Sequence, residues 1–557
     1  MRIIKYKIIF ICFFIVLIFF IIGSRLFWVQ IVNYTFFSQK VSEQSKRIKK
    51  SQTLRGNIYD RNMMTLATSM AAESCYIETK KAKDLDIELF SKCTGMSPSD
   101  IRSKLNNNKI SVLIKRKLFP DEVLKIKSKN FPGVYFEKEQ LRFYPENSIA
   151  SYVVGVVGTD NKGLSGIEYL FDDFLTGLSK KYVAIKDGKG REIVIGNDSE
   201  DDIRYVVLTI DTRLQHIAES ILKKAYETDS AKSLTCIIQN PHTGEILVMA
   251  SYPSYDPNKK IDQKMLKNIF ISDAYEPGSV FKIVPAAAAL EKHPGVLSEK
   301  FFCENGSYKL AKDIIIHDHE KYGLLSFQEM FAYSSNIGFA KLSRIIGKQD
   351  LWQYARSFGF GMNTGIELTG ENSGRLEPVS KWSGVSCEMI SFGQELSANA
   401  LQIINSFSIV ANGGILMEPK IIKSVFCNNK EIQTFEPVKI RKVISPATAD
   451  SIRKMMESVV EYGTGVQAKI DGIGIAGKTG TAQKYDKYLK KYSDSKYVSL
   501  FAGFFPSEKP EVTVLVVVDE PKGDYWASSV AAPIFRKVSS GMLEYLNIRQ
   551  KNKLAIK

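Results

Sequence analysis

The sequence is poor in the residues that build metal sites and disulfide frameworks. Its five histidines and seven cysteines are scattered over 557 residues, and no two cysteines form a CxxC pair. Zinc sites and disulfide scaffolds need closely spaced ligands, so the spacing predicts neither. His317-Asp318-His319 is the one histidine cluster, and we interpret it as a solvated turn or strand end. We therefore predict no metal and no cofactor.

The sequence also lacks a basic stripe of the kind that binds nucleic acid. The formal net charge is +16, but the lysines and arginines are spread along the chain and are not interleaved with aromatic residues. We therefore predict no nucleic-acid partner. With 44% apolar and 24% charged residues, the composition is that of a folded protein, and the length predicts two or more domains.

Long apolar runs are absent except for Ile8–Ile22, which contains no charged residue. With Gly23 and Ser24 this run reaches about 17 residues, the lower limit for a membrane-spanning helix. Arg2, Lys5 and Lys7 precede it, so the positive-inside rule places the amino terminus in the cytoplasm. We predict a cytoplasmic tail over 1–7 and a transmembrane anchor over 8–24.

A cleavable signal peptide is the competing interpretation of this run. No A-x-A-like site follows it; an aromatic and basic collar, Arg25–Val29, follows instead. We favour an uncleaved anchor, hence a single-pass protein of the cytoplasmic (inner) membrane whose remaining chain is extracytoplasmic.

The rest of the chain divides by pattern into four parts. Polar and basic residues predict a helical stalk over 25–52, and a mixed region over 53–202 predicts an N-terminal pedestal domain. After the acidic break at Ser199–Asp202, buried strands such as Tyr205–Ile210 and Val512–Val518 flank a helical block. This pattern predicts an α+β catalytic domain over 203–546, followed by a basic tail over 547–557.

Three short motifs occur in order in this second domain: Ser279-Val280-Phe281-Lys282, Ser334-Ser335-Asn336 and Lys478-Thr479-Gly480, followed by Thr481. Together they match the S-x-x-K, S-x-N and K-T-G set of β-lactamases and penicillin-binding proteins. Each motif alone is weak, because the chain contains other matches: Ser451–Lys454, Ser493–Lys496, Ser397–Asn399 and Ser128–Asn130. The order and the local context favour the first set.

The first motif has the residues needed for nucleophilic catalysis. Glu276-Pro277-Gly278 is a helix-start signal, so Ser279 is predicted at the amino end of a helix with Lys282 on the same face. A serine hydroxyl needs a base, and lysine serves as one when burial or a neighbouring cation disfavours its ammonium form. Lys478 is the candidate neighbouring cation.

The other two motifs predict substrate contacts. Ser334 can relay a proton to a leaving amine, and the Asn336 amide can bind a peptide backbone. Lys478, Thr479 and Thr481 can bind a terminal carboxylate, and Gly480 allows close approach of the backbone. The backbone N–H groups of Ser279 and Thr481 are candidate oxyanion-hole donors.

Beyond the motifs, almost the whole chain resembles the class B penicillin-binding proteins. Nine further segments carry the resemblance: Arg55–Asn62, Leu66–Ser69, Arg142–Pro145, Gly166–Glu168, Leu208–Asp211, Thr243–Ala250, Pro253–Asn258, Gly463–Gly465 and Ala531–Phe535. Some positions depart from the family pattern. Met63 and Asn147 stand where the family commonly has glycine, Ser151 stands for a histidine, and Glu395, Asn399, Ala400, Ala527 and Ser528 are also unusual.

The resemblance implies a penicillin-recognising serine transpeptidase fold with an elongated pedestal of the dimerisation type. It implies a peptidoglycan D,D-transpeptidase in which Ser279 attacks the penultimate D-Ala carbonyl of a stem peptide. An amine of a neighbouring stem peptide then resolves the acyl-enzyme, and β-lactams act as covalent inhibitors. The single anchor and the lack of a carboxy-terminal extension are similar to the cell-division (septal) subclass.

The resemblance also implies partners. The chain shows no second active site for glycan polymerisation, so a separate membrane glycosyltransferase of the shape, elongation, division and sporulation type is expected, together with divisome proteins. The predicted contact surfaces are the anchor and the pedestal segments Arg55–Ser69 and Arg142–Glu168.

Three alternatives stay open at this point. The protein could be an elongation-type transpeptidase, or a β-lactamase or D,D-carboxypeptidase, provided that a carboxylate such as Glu367 or Glu371 activates water. It could also be a non-enzymatic β-lactam-binding scaffold or sensor.

Overall fold

A computed structural model describes residues 2–106, 109–177, 179–186, 192–195, 203–312, 314–486 and 491–546. The predicted basic tail, 547–557, lies outside these residues. The chain forms two compact units, the first made of Met1–Thr53 with Thr176–Asp202 and the second of Leu54–Leu175 with Ile203–Lys557.

Eighteen α-helices occur in the described residues. They are α1 (Arg2–Phe27), α2 (Tyr34–Ser45), α3 (Ile87–Thr94), α4 (Pro98–Leu105), α5 (Pro120–Lys127), α6 (Ser151–Val154), α7 (Gly166–Leu170), α8 (Asp172–Thr176), α9 (Thr212–Asp229), α10 (Ile269–Ser272), α11 (Ile283–Lys292), α12 (Phe327–Ala332), α13 (Asn336–Ile346), α14 (Lys348–Ser357), α15 (Ser386–Ser391), α16 (Ala400–Ala411), α17 (Pro446–Glu461) and α18 (Ala531–Met542).

The described residues also form β-strands. They are β1 (Lys46–Gln52), β2 (Asn57–Tyr59), β3 (Thr65–Glu78), β4 (Ser111–Leu118), β5 (Val134–Phe143), β6 (Ser179–Lys186), β7 (Glu192–Ile195), β8 (Arg204–Leu208), β9 (Ser233–Gln239), β10 (Ile246–Tyr252), β11 (Lys300–Phe302), β12 (Ser307–Ala311), β13 (Ile314–His317), β14 (Leu324–Ser326), β15 (Ile415–Met417), β16 (Ile422–Cys427), β17 (Lys430–Thr434), β18 (Lys439–Lys442), β19 (Ala476–Asp486), β20 (Lys491–Phe505) and β21 (Val512–Asp519).

The first unit contains one helix that is long and apolar enough to cross a membrane. It runs over Arg2–Val32, and its last turn, Trp28–Val32, is a π-helix. The Arg25 guanidinium lies 4.7 Å from the centre of the Trp28 ring, which suits the predicted interfacial collar. Within the predicted stalk, 25–52, helix α2 ends at Ser45, and a helix after this residue is wrong, because Lys46–Gln52 forms β1 and pairs antiparallel with β6.

In the second unit one seven-stranded sheet joins residues on both sides of the predicted boundary at 202. Strand β2 pairs in parallel with β8, so that Ile58 lies opposite Val206, and both side chains are fully buried. Strands β3, β4 and β5 extend this sheet on the amino-terminal side, and β16 and β17 extend it on the other. The two predicted domains therefore share a sheet.

Two positions at which the family commonly has glycine adopt a left-handed backbone conformation in this chain. Met63 has φ 64° and Asn147 has φ 53°, both in the left-handed region that glycine adopts without strain. The Met63 N–H donates to the Asp60 carbonyl and so closes the turn. Residues other than glycine adopt this conformation at some cost in backbone strain.

A buried charge cluster holds the start of the second unit together. Glu168 accepts hydrogen bonds from Arg55 Nε (2.7 Å) and Arg142 Nε (2.6 Å), and Arg142 Nη1 also donates to the Gly56 carbonyl at 2.7 Å. All three charged side chains are almost completely enclosed. Such a cluster specifies one arrangement, because a single buried charge left without its partner is costly.

Glu168→Gln should therefore destabilise the protein by about 3–5 kcal/mol, because the buried Arg142 guanidinium loses its counter-charge and Arg55 keeps only its ion pair with Asp172. The measurement is denaturant unfolding of the full-length protein in detergent. Glu73→Gln is the matched control: it breaks an exposed pair with Lys127 and should cost about 1 kcal/mol or less. Equal effects of the two substitutions would show that the buried cluster does not stabilise the fold.

The carboxy-terminal part of the second unit is a five-stranded sheet, β10-β9-β21-β20-β19, with helices on both faces. Alternate residues such as Ile238 and Val516 pack with α9 and α18, whereas Ile237 and Leu515 face the core that contains α11 and α16. Burial of both faces explains the continuous apolar run of β21. Strand β19 lies at one edge, beside Gly278–Lys282.

Candidate active site

The Ser279 segment begins with a left-handed glycine and one turn of 3₁₀-helix, Gly278–Lys282, which continues into α11. A 3₁₀-helix has three residues per turn, so Ser279 and Lys282 share a face, as predicted. Ser279 is partly exposed and Lys282 is fully buried. Among the described residues, the Ser279 hydroxyl has no hydrogen-bond partner, and Lys282 reaches the second motif instead.

Lys282 is surrounded by acceptors from the Ser334-Ser335-Asn336 motif. Its Nζ donates to the Ser334 carbonyl (2.6 Å), the Asn336 Oδ1 (2.8 Å) and the Ser334 hydroxyl (3.2 Å). Burial lowers the pKa of Lys282 to about 7, and nearby Asp318 and Cys303 act in the opposite direction. A neutral amine is therefore accessible near neutral pH.

The Ser334 hydroxyl is the point at which the three motifs meet. Besides Lys282, it accepts a hydrogen bond from Lys478 Nζ at 2.8 Å. Ser334 has φ 59°, a left-handed conformation that is strained for a residue other than glycine. Its backbone N–H donates to the Phe331 carbonyl, which ties this strained turn to the end of α12.

Lys478 lies on the edge strand β19 and is as enclosed as Lys282. Its Nζ donates to Ser334 Oγ and to the Thr479 carbonyl at 3.2 Å. Burial, followed by the charge of Lys282, holds the pKa of Lys478 well below its usual value. No carboxylate among the described residues pairs with either ammonium, so the two lysines disfavour each other's charge.

Thr479 and Thr481 connect β19 to two neighbouring loops. The Thr479 hydroxyl lies 2.7 Å from the Thr464 hydroxyl, and Thr464 N–H donates to the Ala332 carbonyl just before the second motif. Thr481 Oγ1 accepts the backbone N–H of Ala527. Because this last donor is a main-chain group, alanine can stand there in place of the family's glycine.

Gly480 allows β19 to pack directly against the nucleophile segment. A Cβ at this position would lie 2.9 Å from the Pro277 carbonyl oxygen and 2.9 Å from Val280 Cγ1. Gly480→Ala should therefore push the strand away from Ser279 and slow acylation by a labelled penicillin about tenfold or more.

Gly384→Ala is the matched control, since no atom lies within 4 Å of the added Cβ and φ is unrestricted there. Acylation of this control should match the wild type. An unchanged rate in Gly480→Ala would show that the contact does not position the strand.

The competing motif matches have local roles in the structure. The Ser451 hydroxyl donates to Ala447 within α17, and Ser128 donates to Lys125 at the end of α5. Ser493 accepts the N–H of Lys496 within β20, and Asn399 caps α16.

The carboxylates considered for a hydrolase are engaged elsewhere. Glu367 accepts the N–H of Ile421, and Glu371 accepts the N–H of Thr364 and the Asn399 amide. Glu276 lies three residues before Ser279, but its Oε1 is held by Tyr492 and by the N–H of Glu395. None of these contacts involves Lys282, Ser334 or Lys478.

Sequence reasoning missed Asp318, which contacts the second motif directly. Its Oδ1 accepts the N–H of Asn336 at 2.6 Å, and its Oδ2 accepts the Ser335 hydroxyl at 2.6 Å. The interpretation of His317–His319 as a strand end is correct for His317, which ends β13. The sequence signal for such a role would be an acidic residue close to the start of a helix. Asp318 lies 18 residues before Asn336, where α13 begins, so this signal was not visible in the sequence.

The fold and these motifs define the class of serine enzymes that recognise penicillin. Family models agree: residues 234–540 match the penicillin binding protein transpeptidase domain, and residues 50–202 match the penicillin-binding protein dimerisation domain. The chain belongs to the class B penicillin-binding proteins, so the predicted family and fold class are confirmed.

Individual relatives extend over nearly the whole chain. Stage V sporulation protein D of Bacillus subtilis is 32% identical, covering 99% of this chain and 88% of its own length. Peptidoglycan D,D-transpeptidase FtsI of Escherichia coli is 29% identical, covering 95% and 90%. Penicillin binding protein 3 of Mycobacterium tuberculosis, solved with ampicillin, is 26% identical with a TM-score of 0.71, covering 91% of this chain and 98% of that one.

Proposed function

We propose that the protein is a peptidoglycan D,D-transpeptidase that uses Ser279 as its acyl acceptor. The observation that carries the proposal is the Ser334 hydroxyl, which accepts hydrogen bonds from two enclosed lysines, Lys282 and Lys478. Two lysines with lowered pKa around one hydroxyl form a route by which a proton moves without a carboxylate or histidine.

In the first half-reaction the Ser279 oxygen attacks the penultimate D-Ala carbonyl. Neutral Lys282 takes the hydroxyl proton, and the backbone N–H groups of Ser279 and Thr481 stabilise the oxyanion. The bond to the terminal D-Ala breaks, and its amine receives a proton through Ser334. In the second half-reaction an amine of another stem peptide attacks the ester and regenerates Ser279.

Binding of the substrate's terminal carboxylate falls to Thr479 and Thr481. Lys478 is fully buried, so it acts on this carboxylate through its electric field rather than as an exposed ligand. An anion bound at β19 raises the pKa of Lys478 and so restores its charge. Charged Lys478 would then add to the effect of burial, which already disfavours the charged form of Lys282. Asn336 is the further contact for the donor peptide.

The test uses uncross-linked glycan strands with D-Ala-D-Ala stem peptides and full-length protein in detergent. Cross-linked dimers should form with release of one D-Ala per bond. Release of D-Ala without dimers would favour a carboxypeptidase, and rapid release of hydrolysed penicillin would favour a β-lactamase. Stable labelling without either product would favour the scaffold or sensor.

A septal role and membrane partners are the finer part of the proposal. The relatives named Stage V sporulation protein D and FtsI support a septal role. Helix α1 supports a membrane anchor, with the amino terminus inside and the second unit outside the cytoplasmic membrane. The predicted glycosyltransferase and divisome proteins would bind the anchor and the pedestal. Exchange of 8–24 for an unrelated anchor should then weaken co-purification and septal placement. Unchanged binding and placement would show that the anchor only attaches the protein to the membrane.

The predicted division of the chain, with a pedestal over 53–202 and a catalytic domain over 203–546, is part of the same proposal. The family models divide the chain near the same position, with matches that end at 202 and resume at 234.

A further inference from the structure

The carboxylate of Asp318 caps the helix that carries the second motif. It follows the last residue of β13, and its Oδ1 accepts the backbone N–H groups of Asn336 (2.6 Å) and Ile337 (3.1 Å). Its Oδ2 accepts the Ser335 hydroxyl, which in turn accepts the N–H of Gly338 at 2.9 Å. One carboxylate thus fixes the first turn of α13, where the helix dipole favours negative charge.

The same strand end also orients the Asn336 side chain. Asn336 Nδ2 donates to the carbonyl of His317 at 3.0 Å, and this bond leaves Oδ1 facing Lys282 at 2.8 Å. The opposite amide orientation would point two N–H donors at an amine that itself donates. The backbone of Asn336 and the direction of its amide are therefore both set by residues 317 and 318.

We propose that Asp318 is a positioning residue for acylation, which holds Ser334 and Asn336 in place around Lys282. The inference rests on the proposed function of Ser279 and Lys282. It adds a residue outside the three motifs, held by three hydrogen bonds to the second motif and its neighbour Ile337.

The charge of Asp318 gives this role a signature that a purely structural cap would lack. Asp318 raises the pKa of Lys282 against the larger effect of burial, so loss of its charge should lower that pKa further. The other titratable or charged groups of this neighbourhood include His317 and His319, which flank Asp318 in the chain, and further Lys478, Cys303, Lys341, Glu320 and Tyr322. All of them are unchanged in the variants described next.

The experiment measures the rate constant of acylation by benzylpenicillin for the full-length protein in detergent. The pH runs from about 5 to about 9, the range over which a group with a pKa of about 7 titrates. Asp318→Asn should lower the plateau rate about tenfold or more and shift the rising limb to lower pH. Asp318→Glu keeps the charge but moves it, so it should lower the plateau without this shift.

Asp86→Asn is the matched control, because Asp86 caps the eight-residue helix α3 in the amino-terminal part of the second unit. Asp86→Asn should change neither the plateau rate of acylation nor the pH at which this rate rises. Wild-type values in Asp318→Asn, or a lower plateau with an unshifted limb, would overturn the inference. If Asp318→Asn does not fold, Asp318→Glu decides, and a wild-type plateau there overturns it. Absence of an adduct on Ser279 in the wild type would instead refute the proposed function.

Discussion

Ser279→Ala should abolish covalent labelling by a penicillin while leaving the fold intact. The hydroxyl is partly exposed at the start of α11 and has no hydrogen-bond partner among the described residues, so its loss removes no contact that stabilises the protein. Removal of the nucleophile costs on the order of a millionfold in a serine protease, because no other group forms the acyl bond. Mass spectrometry of the labelled protein should therefore place the wild-type adduct on Ser279 and find none in the variant.

Ser451→Ala and Ser493→Ala are the matched controls, since both serines begin an S-x-x-K sequence elsewhere in the chain. Both variants should label at the wild-type rate, because the Ser451 hydroxyl bonds within its own helix and the Ser493 hydroxyl bonds within its own strand. An adduct on either serine in wild-type protein, or full labelling of Ser279→Ala, would overturn the assignment of the nucleophile.

Local spacing made the first motif predictable from sequence. Ser279 and Lys282 are three residues apart after a turn signal, so any helical conformation places them on one face. The surroundings of Lys282 were not predictable in this way. Its acceptors come from Ser334 and Asn336, which are 52 and 54 residues away in the chain. Only the order of the motifs indicated that they meet.

Asp318 and β1 show where sequence reasoning failed. Asp318 is 17 residues from Ser335, and its role depends on where β13 ends relative to α13. Composition alone assigned Lys46–Gln52 to a helix, yet these residues pair with Ser179–Ile185, more than a hundred positions away. In both cases the structure depends on contacts between residues that are distant in sequence, and local sequence patterns do not reveal such contacts.

The parallel pairing of β2 with β8 is a further feature that pattern did not predict. Asn57–Tyr59 is too short to show a period, and its partner lies beyond the acidic break that marked the predicted boundary. The break in composition is real, but the sheet continues across it, because both strands bury apolar residues in one core.

Lys282→Ala and Lys282→Arg should slow acylation to a similar degree, by about 10²–10⁴-fold, the usual contribution of a general base. Alanine removes the amine, whereas arginine keeps a cation that does not lose its proton near neutral pH. If Lys282 contributed only its positive charge, arginine would instead preserve part of the acylation rate. The measurement is the acylation rate constant of each variant with benzylpenicillin.

Lys341→Arg is the matched control, because Lys341 lies on α13 and forms a partly exposed ion pair with Glu304. It should acylate at the wild-type rate. Melting temperatures of all variants separate loss of the base from loss of folded protein.

The acylation rate of the wild type should depend on pH in a direction that the pKa of Lys282 sets. Lys282 is charged below its pKa of about 7 and neutral above it, so the acylation rate should rise as the pH is raised through this value. With an ordinary lysine pKa of 10.5, roughly one amine in three thousand would be neutral at pH 7. Burial is therefore what makes this lysine usable as the base. Wild-type rates in Lys282→Arg, or a rate that does not depend on pH between about 6 and about 8, would show that another group accepts the proton.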